Sequence, residues 1–236
     1  MMTHHPLRLV WMYLEDFNGS YDHLLAELPE EDHERAERIQ IAAARHRFVL
    51  ARSILRRSLG ALIGTDPRNL VFSTGERGKP FLSVPQLDDP PRFNLSHSGN
   101  VVVFVVGSID VGVDVESLRE VRNAERMARR FFSPNEQSVI QSLVGATRDH
   151  AFLRIWTQKE AYLKATGIGV GMPLRGVETE PDPEAPPGLR AIAGDRDEAA
   201  RWTLLEAEVP GAVCTVAVRE PAASLEVQQF MPVDLT

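Results

Sequence analysis

The residues of this chain best placed to do chemistry are two carboxylates on a strand-like run and a Glu–Lys pair on a helix-like one. In VGVDVE, Val111, Val113 and Val115 alternate with Gly112, Asp114 and Glu116, so on an extended strand both carboxylates project from one face. Like charges that close destabilise each other unless a cation joins them. They are hard oxygen donors of the kind Mg2+ takes, with water and substrate phosphates completing its shell. The simpler alternative is the solvated face of an edge strand. Further along, RIWTQKEAYLKATGIG (Arg154–Gly169) places Trp156, Glu160 and Lys164 on one stripe of a helix, beside an apolar stripe of Phe152, Ile155 and Leu163. An i,i+4 Glu–Lys pair on a solvated surface is worth only about 0.3–0.5 kcal/mol. Were the fold to bring it to Asp114 and Glu116, Glu160 would supply a third carboxylate.

Cations are also concentrated upstream. Between Arg38 and Thr65 there are six arginines and no carboxylate. Ile41, Phe48, Leu55 and Leu59 recur there at helical spacing, with Gly60 or Gly64 ending the pattern, and this helix carries Arg45, His46, Arg47, Arg52, Arg56 and Arg57. A solvated helix face is one reading. Cations without a neighbouring anion repel one another, so the alternative is a phosphate or an acidic surface that joins them. Gly75–Pro80, GERGKP, is a turn by composition and holds Lys79 on a constrained loop. In Phe93–His97 the alternation of a half-buried strand sends Phe93 and Leu95 one way and Asn94 and Ser96 the other. His97, at the strand's end between Ser96 and Ser98, can offer donors to an anion or serve a structural role.

The elements that must position these residues are legible at coarse grain. Leu7–Leu14 reads as a buried strand and Val101–Val106 as a central one. The spacing predicts a helix over Leu118–Phe132. Ser133-Pro134-Asn135-Glu136 is a capping-box start for the next, with a short break around Gly145–Arg148 before the helix that ends near Gly167 or Gly169. After a proline-rich loop (Pro181–Gly188), Leu189–Ala193, Trp202–Val209 and Ala212–Val218 read as strands that complete a sheet.

Composition narrows the class. The 236 residues are 43% hydrophobic, enough for a sizeable core. A net charge of -7 argues against general nucleic-acid binding. No stretch approaches the roughly 18 apolar residues a membrane span needs, and the amino terminus lacks a basic segment followed by an apolar run. The single cysteine, Cys214, excludes an internal disulfide and reads as a small buried hydrophobe. A cytoplasmic protein is expected.

FNLSHSG (Phe93–Gly99), VGVDVE, RFFSPNE (Arg130–Glu136) and WTQKEAYLKATG, in that order between about Arg77 and Gly169, resemble the 4'-phosphopantetheinyl transferases of the Sfp type. The resemblance implies an α+β fold of two similar halves in pseudo-twofold arrangement, with the site between them and a boundary near Ser108, giving halves 1–108 and 109–236. It implies a monomeric enzyme that moves 4'-phosphopantetheine from coenzyme A to a serine of an acyl, peptidyl or aryl carrier protein. Asp114, Glu116 and Glu160 would hold Mg2+, with Glu160 as general base and Lys164 and Asp114 at the reacting phosphates. Arg47, Arg52, Lys79, Pro80, Ser96, His97 and Lys164 would bind coenzyme A. Where some relatives carry extra basic residues before the long helix, this chain has Glu30, Glu31, Asp32 and Glu34. Two other functions could use the same residues: a Mg2+-dependent nucleotide phosphodiesterase, and a non-catalytic module that binds coenzyme A or a carrier.

Overall fold

A computed structural model describes residues 7–17, 20–220 and 224–229; part of the amino-terminal stretch read above lies outside them. In chain order the elements of the first half are β1 (Arg8–Tyr13), α1 (Tyr21–Glu27), α2 (Glu30–Glu37), α3 (Ala42–Ile63), β2 (Val71–Thr74), β3 (Pro80–Val84), β4 (Arg92–Ser98) and β5 (Val101–Gly107). There follow β6 (Val111–Ser117), α4 (Ala124–Phe131), α5 (Pro134–Ser142), α6 (Gly145–Thr166), β7 (Val177–Thr179), β8 (Leu189–Ile192), α7 (Arg196–Ala199), β9 (Thr203–Glu206), β10 (Ala212–Val218) and β11 (Glu226–Gln229).

Two sheets lie face to face, each backed by a long helix. The first has the order β11-β1-β5-β4 and the second β6-β10-β9. Strand periodicity decides which side chains go where. On β1 and β5, Val10, Met12, Phe104 and Val106 pack against Val49, Ile54, Leu55 and Leu59 of α3. The alternate residues Leu9, Trp11, Val101, Val103 and Val105 meet Val111, Val113 and Val115 of β6 and Cys214 and Val216 of β10 between the sheets. The outer face of the second sheet carries α6. Both α3 and α6 are 22 residues long, so the layers run helix, sheet, sheet, helix, an α+β fold of two similar halves. All seven residues of β5 are buried, as a central strand requires.

Three expectations change in detail. The helix placed over Leu118–Phe132 forms only over Ala124–Phe131. The break before α6 is shorter than the glycine at 145 suggested, because Gly145 is already helical and only Leu143 and Val144 separate α5 from α6. Of the three runs read as completing a sheet, only β9 and β10 join β6, while β8 pairs with β7 in a separate two-stranded sheet; the carboxy-terminal strand β11, for which the sequence carries no local signal, pairs in parallel with β1.

Candidate active site

Because Val111, Val113 and Val115 are drawn into the inter-sheet core, Gly112, Asp114 and Glu116 face α6. At Gly112 the helix rests on the strand itself: a Cβ there would come within 2.3 Å of the Ala161 carbonyl oxygen and the Ala165 nitrogen. That close approach sets Glu160 and Lys164 beside the carboxylates. Lys164 Nζ donates to Asp114 Oδ1 at 2.6 Å and to Ser96 Oγ at 2.9 Å, and Ser96 Oγ donates to the same Asp114 oxygen at 3.0 Å. The i,i+4 pair with Glu160 does not form, since Lys164 reaches across to the strand instead. Glu116 accepts from Ser98 Oγ at 2.7 Å and pairs with Arg119 at 3.0 Å.

Electrostatically the site is loaded. Burial pushes the Asp114 carboxyl above the usual carboxylate range, against the pull of Lys164. Burial first and the Asp114 charge second push Glu160 up as well, with Lys164 again opposing. Glu160 has no hydrogen-bond or ion-pair partner among the described residues.

Among the described residues no three His, Cys, Asp or Glu side chains are grouped as a metal site. Asp114 turns to Lys164 and Glu116 to Ser98 and Arg119, while Glu160 lies close enough to feel the charge of both carboxylates. The donor set nevertheless fits Mg2+. Asp114 Oδ2 is buried without a hydrogen-bond partner among the described residues, a costly state for a carboxylate oxygen that a hard cation would relieve.

The basic residues divide into groups. Arg47 Nη1 donates to the Gly99 carbonyl at 3.0 Å, on the side of β4 where His97 stands. Burial first, then Arg47 and Lys164, hold the His97 imidazole below its ordinary pKa. Arg52 and Arg56 share the buried Asp32, each at 2.7 Å, and Arg57 pairs with Glu27 at 2.5 Å. The expectation that these arginines lack a nearby anion is thus corrected, since α1 and α2, and notably the acidic stretch that departs from some relatives, neutralise them. Lys79 also faces inward. Its Nζ donates to the carbonyls of Val111 at 2.9 Å and Ala165 at 2.6 Å, and burial lowers its pKa to about 8.

Glu160 and Lys164 open onto a cavity of about 590 Å3, whose wall also includes Arg77, Pro80, Asn94 and Arg130. Arg77, Asn94 and Arg130 escaped the sequence reading. Asn94 shares the strand parity of Ser96, which could have flagged it, whereas Arg130 was read only as part of a helix and of the RFFSPNE motif, with no role of its own. Ser133 and Glu136 form the expected capping box. Glu136 does more: wholly buried, it pairs with Lys159 Nζ at 2.8 Å and accepts from Thr179. Lys159 was missed because a lysine beside a catalytic-looking glutamate reads as surface, yet it points into the core.

Comparisons with known proteins bear on this geometry. A family model described as 4'-phosphopantetheinyl transferase superfamily matches residues 110–217, and one described as 4'-phosphopantetheinyl transferase, N-terminal, matches residues 15–108. The chain is 38% identical to 4'-phosphopantetheinyl transferase HetI of Nostoc sp. over 83% of its own length and 79% of that protein's. It is 31% identical to 4'-phosphopantetheinyl transferase Sfp of Bacillus subtilis over 61% of its length and 62% of the relative's. A solved holo-(acyl-carrier-protein) synthase of Bacillus anthracis in complex with CoA (3',5'-ADP) aligns with 48% of the chain and 97% of its own at 21% identity and a TM-score of 0.39, too distant a likeness to add weight. The chain belongs to the 4'-phosphopantetheinyl transferase superfamily, to its Sfp type, and is an enzyme of that class.

Proposed function

We propose that this transferase moves the 4'-phosphopantetheine arm of coenzyme A onto a serine hydroxyl of an acyl, peptidyl or aryl carrier protein, in a reaction that depends on Mg2+. The observation that carries the reading is the meeting of Asp114, Glu160 and Lys164, from a strand and a facing helix, with Glu160 and Lys164 on the wall of one cavity. Asp114, Glu116 and Glu160 would hold the metal. When bound, Mg2+ neutralises charge on the diphosphate oxygens.

Glu160 suits the role of general base. A raised pKa makes it a stronger base, and its lack of a hydrogen-bond partner among the described residues leaves it available to the carrier serine. The serine oxygen forms a bond to the phosphorus that bears pantetheine, and its proton goes to Glu160. The bond from that phosphorus to the bridging oxygen breaks, and adenosine 3',5'-bisphosphate leaves with the electron pair. Lys164, drawn from Asp114 toward the phosphates, offsets the developing charge. Arg47 and His97 are placed to receive phosphate oxygens, and Pro80 to line the cavity. Arg52, Lys79 and Ser96 act from behind, through Asp32, through backbone carbonyls and through Asp114 respectively.

Since one chain supplies every residue of the site, the working unit is a monomer, and the lone buried Cys214 suits a cytoplasmic setting. Nucleic acid and membrane are not expected as partners. Intact-mass measurement of a panel of apo carrier proteins, incubated with coenzyme A and Mg2+, tests the reading: at least one carrier gains one phosphopantetheine. Release of phosphopantetheine with no carrier present would instead identify a hydrolase.

A further inference from the structure

Lys159, one residue before Glu160, is wholly buried, and no step of the proposed reaction uses it. An ammonium has three N–H donors, and here each has an acceptor: Glu136 Oε2 at 2.8 Å, the Leu174 carbonyl at 3.1 Å and the Val177 carbonyl. Glu136 is equally committed. Its Oε1 accepts from Thr179 N at 2.8 Å and from Thr179 Oγ1 at 2.9 Å, and its Oε2 accepts from Ser133 N at 2.7 Å besides Lys159. A charge pair alone would need one of the lysine's donors. The other two go to backbone carbonyls of a single segment.

That segment links the end of α6 at Thr166 to the start of β7 at Val177. It is built from two 3-10 turns, Gly169–Gly171 and Leu174–Gly176, closed by local bonds from Gly171 N to the Ile168 carbonyl at 3.1 Å and from Gly176 N to the Pro173 carbonyl at 2.8 Å. Bonds of this kind shape a turn but do not fix where it lies. Met172, Pro173, Leu174 and Arg175 nevertheless form part of the wall of the cavity onto which Glu160 and Lys164 open. Successive residues point about 100° apart around a helix, so α6 presents Glu160 to the cavity and with Lys159 grips the backbone of the cavity's wall. We propose that Lys159 is a positioning residue for the transfer: through the Leu174 and Val177 carbonyls it holds residues 172–175 at a fixed distance from Glu160 and so keeps the cavity in the shape that binds coenzyme A. The inference rests on the transferase reading for the identity of that ligand.

Lys159→Met alone strands the Glu136 charge, so the test compares two variants that share the loss of that charge. Glu136→Gln leaves the lysine nitrogen on its two carbonyls; Glu136→Gln combined with Lys159→Met removes it. Amide hydrogen exchange and initial rates of transfer to a carrier protein, with coenzyme A varied, are measured at a temperature where both variants are folded. Relative to Glu136→Gln, the double variant is expected to exchange the amides of residues 168–177 about tenfold faster, with those of α3 unchanged. Its KM for coenzyme A should be about tenfold higher with kcat within about threefold, as follows when the binding-competent wall is populated one-tenth as often. Exchange over residues 168–177 and a KM that agree within about twofold in the two variants would overturn the assignment and leave Lys159 a packing residue, and so would a lower kcat with KM unchanged. Exchange needs no turnover. A wild type that transfers nothing to any carrier would therefore count against the transferase reading, while the exchange comparison would still decide whether Lys159 holds the wall.

Discussion

Lys164 holds the charge balance at the residue scale. Its ammonium lies 2.6 Å from Asp114 Oδ1, while Glu160, half-buried one helical turn earlier, is left without a partner among the described residues. A carboxylate whose pKa is raised in the folded state binds more protons there than in the unfolded chain. Stability on its account is therefore full below the unfolded pKa and declines as pH rises toward the raised folded one. Glu160→Gln removes that penalty. The variant is expected to unfold at a higher temperature than wild type at pH 7, yet to lose transfer by at least about a hundredfold, the usual worth of a general base. Thermal melts at pH 4 and pH 7 check the first part, with the gain present at pH 7 and much smaller at pH 4. Much of this was readable from strand parity and the helical turn, which put Asp114, Glu116, Glu160 and Lys164 on the correct faces. The choice of Asp114 over Glu160 as partner of Lys164 was not readable, because it depends on how closely β6 and α6 approach.

That approach is an element-scale property, set by Gly112 and by the last turn of α6. A methyl at residue 112 has backbone atoms of Ala161 and Ala165 in its way, and neither can move without shifting the helix. Gly112→Ala should cost about 3 kcal/mol in urea unfolding and weaken transfer in parallel, since it separates Glu160 from Asp114. At the other end, Gly167 takes a φ of 65° as α6 stops, and Lys79 from the β2–β3 turn donates to the nearby Ala165 carbonyl as well as to Val111. An ammonium on a helix's terminal carbonyls favours that terminus. Lys79→Met leaves both carbonyls short of a donor, which should cost about 1–3 kcal/mol. The pH dependence runs the opposite way from that of Glu160. The folded pKa of Lys79 is lowered to about 8 from 10.5, so above pH 8 the unfolded chain holds the extra proton, and wild-type stability gains with pH between those values. Urea unfolding at pH 7 and pH 10 should show that gain in wild type and its absence in Lys79→Met. The composition of GERGKP announced a turn with a cation; only the packing of that turn against α6 shows the cation directed inward.

Across the whole molecule, two sheets share an inner core and each carries a 22-residue helix outside, so the site forms where the edges β4 and β6 meet. The sequence made the alternating strands and both long helices visible, because each has a clean period of two or of 3.6 residues. It hid the return of β11 to β1, since register between distant segments leaves no local pattern. It also hid the wholly buried Lys159–Glu136 pair that ties α6 to α5 and β7. Burial alone lowers the Lys159 pKa, and Glu136 opposes this. Removing one partner strands the other charge, so Lys159→Met should cost about 3–5 kcal/mol and be measurable as a lower unfolding midpoint. If Asp114, Glu116 and Glu160 form one metal-dependent transfer site, as we propose, transfer requires both the metal and Glu160. Intact-mass measurement of an apo carrier protein, after incubation with coenzyme A and either wild type or Glu160→Gln, with Mg2+ or with a chelator, tests it most directly. The expected result is one added phosphopantetheine with wild type and Mg2+ and none in the other three mixtures; full conversion by Glu160→Gln, or by wild type in the chelator, would contradict it.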